Sequence, residues 1–112
     1  MRDEQINAAI AQECGWENVC QHPKNPNVWV GQHAGNLLEV PNFCGDLNDM
    51  YGAEQYLWRK DYYMRHDYVD ELGKLLNPCN WQRMEASDML DATARQRAEA
   101  FLKTLGKWDE KQ

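Results

Sequence analysis

Apolar residues recur at helical spacing in four stretches of this chain and cluster at strand spacing in one. The clearest stretch runs from Asp88 to Trp108, where Leu90, Ala94, Ala98, Phe101 and Leu105 follow at steps of four, four, three and four residues. Those steps line them along one side of a helix, which must then be buried. Asp91, Arg95, Arg97, Glu99 and Lys103 stand between them, on the flanks or the far face. Ser87 or Asp88 is expected to cap the start, and Gly106 to accept the left-handed conformation past the end.

Asp3 to Cys14 repeats the signal with Ile6, Ala9, Ile10 and Cys14, and Gly15 is a stop. The texture changes between Trp16 and Pro41. Pro23, Asn25, Pro26 and Asn27 break the backbone, Val28 to Val30 favour an extended strand, and Gly31 to Asn36 with Gly35 reads as a turn. Leu37 to Val40 then returns as a second strand, making a small hairpin that needs helices on its face to be stable. Asp46 caps a second helix with Asp49 in its first turn, and Leu47, Met50, Tyr51, Glu54, Leu57 and Trp58 mark one side. Asp61 to Leu76, with Tyr62, Tyr68, Val69, Leu72, Leu75 and Leu76, predicts a third helix that can run on from the second and stops at Asn77 and Pro78. Cys79 to Ala86, holding Trp81 and Met84, connects it to the last helix, and the tail after Trp108 is charged. The predicted fold is α+β and α-rich: about four helices packed on a small antiparallel β-ribbon.

At 112 residues the chain is one domain, 1–112. A domain of this size buries about two-thirds of its unfolded surface, so neither a metal nor a crosslink is needed to fold it. The net charge of -6 argues against direct binding of nucleic acid, which draws on clustered Lys and Arg. It suits encounter with a basic protein surface. No apolar run has the length of a membrane span, and the opening MRDEQINAAI lacks the basic then apolar pattern of an export signal. A cytoplasmic protein with Cys14, Cys20, Cys44 and Cys79 as reduced thiols is the expectation.

Chemistry is sparse. Cys14, Cys20, His22, His33 and Cys44 are soft or imidazole groups in one region, but zinc sites usually pair their ligands two to four residues apart, and only Cys20 and His22 come near that. Cys14 and Cys44 sit where small buried hydrophobes belong. A thiol enzyme can be written from Cys20, with His22 or His33 as base and Asp46 or Glu39 as orienter, yet no spacing rule supports it. Asp46 and Asp49 are explained by a helix start, Asp70 and Glu71 by a solvated face, and Gly31 and Gly35 are too sparse to cradle a phosphate. The reading is a protein without catalytic residues, metal or cofactor.

Aromatic residues carry more. Trp58, Tyr62, Tyr63, Tyr68 and Trp81 exceed what one small core readily covers, and exposed Tyr and Trp are typical anchors of protein contacts. Arg59 and Arg65 add planar donors. Trp58, Arg59, Tyr62, Tyr63, Arg65 and Tyr68 are therefore the candidate contact surface, against the simpler reading that the rings pack between helices. Exposed apolar area would serve a homodimer equally.

Three segments, INAAIAQECGW, VPNFCGDLNDMYGAEQYL and ATARQRAEAFLKTLGKW, resemble a group of small phage and prophage proteins related to the phage α/β/α (ABA) sandwich domain family. The matching residues are Pro41, Phe43, Asp46 and Leu47 before a helix, and Ala94, Arg97, Ala98, Phe101 and Leu102 in the last one. The resemblance covers about half the chain and implies a small sheet layered between helices. Lys60 to Leu76 departs from it, reading as helix where strands are expected. The family is largely without assigned activity, so the resemblance supplies no catalytic residue. It implies a small acidic accessory protein that binds a host protein. The concrete version is an inhibitor of a bacterial defence system, anti-CRISPR-like, whose target handles nucleic acid. Two other classes compete. One is a nucleotide-binding protein that stacks a base on its rings and holds phosphate with Arg59, Arg65, Arg83, Arg95 or Arg97. The other is a phage assembly factor that works as an oligomer.

Overall fold

The computed structural model describes residues 1–77 and 92–109, apart from the side chains of Pro26 and Asn27. The expectations for Pro78, Cys79, Trp81, Arg83, Met84, Ser87, Asp88, Leu90 and Asp91 lie outside the described residues. Within them the chain forms α1 (Asp3–Glu13), β1 (Glu17–His22), β2 (Asn25–His33), β3 (Asn36–Glu39), α2 (Leu47–Lys60), α3 (Met64–Leu76) and α4 (Ala94–Thr104). This is the small α+β fold expected, with four helices and a three-stranded antiparallel sheet.

Both glycines expected to stop helices do so. Gly15 follows α1 at φ +90° and Gly106 follows α4 at φ +71°, a region that side chains rarely occupy. Asp46 caps α2 as expected, its carboxylate accepting from the Asn48 and Asp49 amides at 2.8 and 3.3 Å. The cap of α4 is Thr93, whose hydroxyl accepts from the Gln96 amide while the Gln96 side chain accepts from the Thr93 amide. This reciprocal pair satisfies two amides that the first turn leaves free.

The sheet corrects the hairpin. Its strand order is β1-β2-β3, and the residues read as a break, Asn25 to Asn27, begin β2. Gly31 lies inside that strand, and the turn is only Ala34 and Gly35, between the paired His33 and Asn36. β1 escapes sequence reading because most of its six side chains are exposed, so no apolar alternation marks it. Gly31 is needed for packing: a Cβ there would lie 3.0 Å from Val19 and 3.1 Å from Trp16, whose side chains cover it.

α2 and α3 are separate helices. Asp61 ends α2 in an extended conformation, φ -150°, and its carboxylate accepts from the Tyr63 amide at 3.1 Å. Tyr62 and Tyr63 occupy the break. The expected stripe of α2 is only half buried: Met50, Glu54 and Leu57 are in the core, whereas Leu47 and Tyr51 are exposed. Tyr62 and Val69 likewise face solvent, and Tyr68 and Leu72 carry the buried side of α3.

The last helix is the centre of the domain. Ala94, Ala98, Ala100, Phe101 and Leu102 are buried, more of its circumference than one stripe predicts. It packs against α1, α2 and α3, and its alanines let the other helices approach closely. Among the described residues, Ile6 and Ile10 of α1, Met50 of α2, Leu72 of α3 and Phe101 and Leu102 are the large side chains fully out of solvent. α1 in turn packs on the sheet, with Trp16, Val19 and Val40 reaching the core from that side. Among the described residues no helix is long and apolar enough to cross a membrane.

Candidate functional site

The break between α2 and α3 gathers most of the candidate contact residues. Because Asp61 leaves the helical path, Tyr62 and Tyr63 project outward, 66% and 81% exposed, with their rings edge to face at 6.3 Å. Arg59 and Arg65 flank them, both exposed. Tyr62, Arg65, His66 and Val69 line a depression of about 310 Å³. Trp58 is half-buried and meets Tyr68 edge to face at 5.0 Å.

Tyr68 is corrected. It is only 3% exposed and belongs to the core, so it supports the corner from beneath and reaches no partner. The simpler reading of the rings holds for Tyr68 and in part for Trp58, while Tyr62 and Tyr63 stand free. Hydrophobic spacing gave Tyr68 the same weight as Tyr62. What separates them is the helix break, which turns one ring inward and its neighbours outward.

Beneath the corner lies a buried polar group that sequence reading did not single out. Glu54 of α2, 6% exposed, faces Arg97 of α4, whose Nη1 donates to the two carboxylate oxygens at 3.3 and 3.4 Å. The Arg97 Nε also donates to the carbonyl of Ala92 at 3.3 Å. Burial raises the Glu54 carboxyl above its ordinary range, opposed by the Tyr68 hydroxyl and by the Arg97 guanidinium. The Tyr68 hydroxyl is fully enclosed and faces the Glu54 carboxyl, although among the described residues no group meets it in full hydrogen-bond geometry. Burial, and then the negative charge of Glu54, keeps it protonated far above its ordinary value. The signal in the sequence was a glutamate inside an apolar stripe, which requires a cation opposite.

The sulfur and imidazole groups are put to separate uses. Cys14 and Cys44 are buried, and burial pushes both thiols up to about 12, so neither is a thiolate at neutral pH. Cys20 is exposed on β1. His22 accepts at Nδ1 from the Lys24 amide at 3.1 Å and so holds the turn between β1 and β2. His33 stacks on Trp16 at 5.0 Å and 13°. Asp46, one of the two proposed orienters, is committed to the cap of α2. Among the described residues no three His, Cys, Asp or Glu side chains converge as a metal site needs.

The arginines offered for phosphate are divided too. Arg95 pairs with Asp3 at 3.1 Å and Glu99 at 3.7 Å and lies over the Trp108 ring, and Arg97 is taken by Glu54. Of these arginines, among the described residues, that leaves Arg59 and Arg65 on the open surface. Carboxylates collect instead beside α1, where Asp3, Glu4 and Glu39 share a groove with Trp29 and Val40.

No family model, no curated protein and no solved structure matches this chain.

Proposed function

We propose that this protein works by binding another protein, without catalysis, and that the corner between α2 and α3 is its contact surface. The observation that carries this reading is the pair Tyr62 and Tyr63, set at the junction of two helices with most of each side chain in solvent. Leaving two large rings in water has no packing benefit, whereas such rings anchor interfaces at small entropic cost. Arg59 and Arg65 beside them supply directional donors. The net charge of -6 and the acid-lined groove at α1 favour a partner with a basic surface.

The phage resemblance supports a narrower version. In it the protein is a phage or prophage accessory factor in the host cytoplasm that inhibits a nucleic-acid-handling defence protein by occupying its basic groove with Asp and Glu. Affinity capture from a bacterial lysate, at low and moderate salt, tests it. Retention of a nucleic-acid-handling protein that the double variant Tyr62→Ser/Tyr63→Ser no longer retains is expected. Retention of no such protein at either salt would contradict the narrower version.

The nucleotide-binding alternative has less support, because Arg95 and Arg97 are already paired with carboxylates. It predicts a rise in melting temperature with one member of a nucleotide panel, growing with the logarithm of ligand concentration. A flat response removes it.

A further inference from the structure

A third concavity lies away from the tyrosine corner, between the C-terminal end of α1, His33 of β2 and the first turns of α2. It encloses about 330 Å³, and Cys14, Trp16, His33, Phe43, Asp49 and Tyr56 are among its lining residues. We propose that this cleft takes up the guanidinium group of an arginine side chain presented by a partner protein.

Three features point to that occupant. Rings come first: Trp16 and His33 are stacked nearly parallel, and Tyr56 faces the same space from α2. Planar aromatic faces attract cations, and a guanidinium, itself planar and weakly hydrated, stacks on them better than an ammonium does. Asp49 is the carboxylate in the lining; it is half-buried, and among the described residues its side chain forms no ion pair or hydrogen bond. A carboxylate beside rings matches a guanidinium fork. The end of α1 adds to the same sign of potential. Its last turn holds Glu13 and no basic residue of its own, while Lys60 of α2 acts there in the opposite sense. Asp49 is thus the carboxylate that lines the cleft itself, in the first turn of α2.

That the arginine comes from a protein rests on the binding role proposed above; the affinity for a guanidinium does not. Titration of the isotope-labelled protein with N-acetyl-arginine amide, followed at the assigned Trp16 indole N–H, tests the site itself. Saturable shifts confined to Trp16, His33, Asp49 and Tyr56 are expected, with a dissociation constant on the order of millimolar, as suits one side chain. Asp49→Asn should weaken binding about five- to tenfold while leaving the remaining spectrum in place. Tyr56→Leu serves as a second variant if Asp49→Asn disturbs α2, and should weaken binding by a similar factor. The uncharged analogue N-acetyl-citrulline amide should not bind, and N-acetyl-lysine amide should bind more weakly. Equal binding of arginine and citrulline, equal binding of arginine and lysine, no saturable shift, or indifference to both variants would each overturn the assignment. Such a failure leaves the tyrosine corner untouched, since capture through Tyr62 and Tyr63 uses neither this probe nor these residues.

Discussion

Arg97 on α4 holds one nitrogen, Nη1, 3.3 and 3.4 Å from the two carboxylate oxygens of Glu54 on α2. The contact joins the central helix to the element that ends in the tyrosine corner. Removing one partner from a buried ion pair costs about 3–5 kcal/mol, because the other charge is left without compensation. Arg97→Ala is therefore expected to lose about 3 kcal/mol in urea unfolding, whereas replacing both residues with apolar side chains of similar volume should cost far less. A loss below about 1 kcal/mol for Arg97→Ala would place the pair in the exposed class.

The same carboxyl sets a pH dependence. Burial raises its pKa above the unfolded value, so the folded chain binds this proton more tightly. The linked stability is fully present below the unfolded carboxyl range and is lost as pH rises through the folded value. Glu54→Gln should remove that component, leaving the difference in unfolding free energy between wild type and variant dependent on pH. A difference that stays constant across the acid range would count against it.

Thiol accessibility gives a chemical test of the fold. Cys14 and Cys44 have folded values pushed up to about 12 from the ordinary thiol value of 9.0. The unfolded chain ionises them first, so their contribution is present below about pH 9 and is lost as pH rises toward 12. With Cys79 replaced by serine, one thiol, Cys20, should react rapidly with a disulfide reagent at pH 8. The other two should react only on unfolding, and Cys20→Ser should abolish the fast phase. Fast reaction of Cys14 or Cys44 would mean that α1 and the segment before α2 are not packed as described.

Two positions in β2 and its turn have opposite tolerances. Ala34 and Gly35 both have positive φ, +54° and +82°, as the two-residue turn between antiparallel strands requires. An alanine pays for that conformation, and Ala34→Asn is expected to raise stability by about 0.5–1 kcal/mol. Gly31→Ala is expected to lower it by about 1–2 kcal/mol, since the new methyl meets Val19 and Trp16 at 3.0 and 3.1 Å. Thermal unfolding of the two variants reads both signs, and a reversal of either would contradict the register of β2.

Side-chain spacing made the helices legible because three of them bury a face at the period of 3.6 residues, and Gly15, Asp46 and Gly106 act at their ends through local backbone chemistry. β1 was illegible for the complementary reason: Glu17, Asn18, Cys20 and Gln21 remain in solvent and leave no period to read. The break at Asp61 was half legible: spacing predicts a third helix from Asp61 but lets it continue the second, and the interruption is made by an aspartate that accepts from an amide two residues on. That interruption decided the candidate surface, turning Tyr62 and Tyr63 out while Tyr68 joined the core. The position of α4 at the centre was only partly legible, as the flank residues Ala100 and Leu102 find partners on elements distant in sequence.

The most direct measurement of the central claim is the affinity of the captured partner for wild-type protein and for Tyr62→Ser/Tyr63→Ser, each with its melting temperature. Loss of two anchoring rings should weaken binding about 30-fold or more, the equivalent of about 2 kcal/mol, with the melting temperature unchanged. Equal affinity in a variant that folds as well as the wild type would show that the corner between α2 and α3 is not where this protein makes its contact.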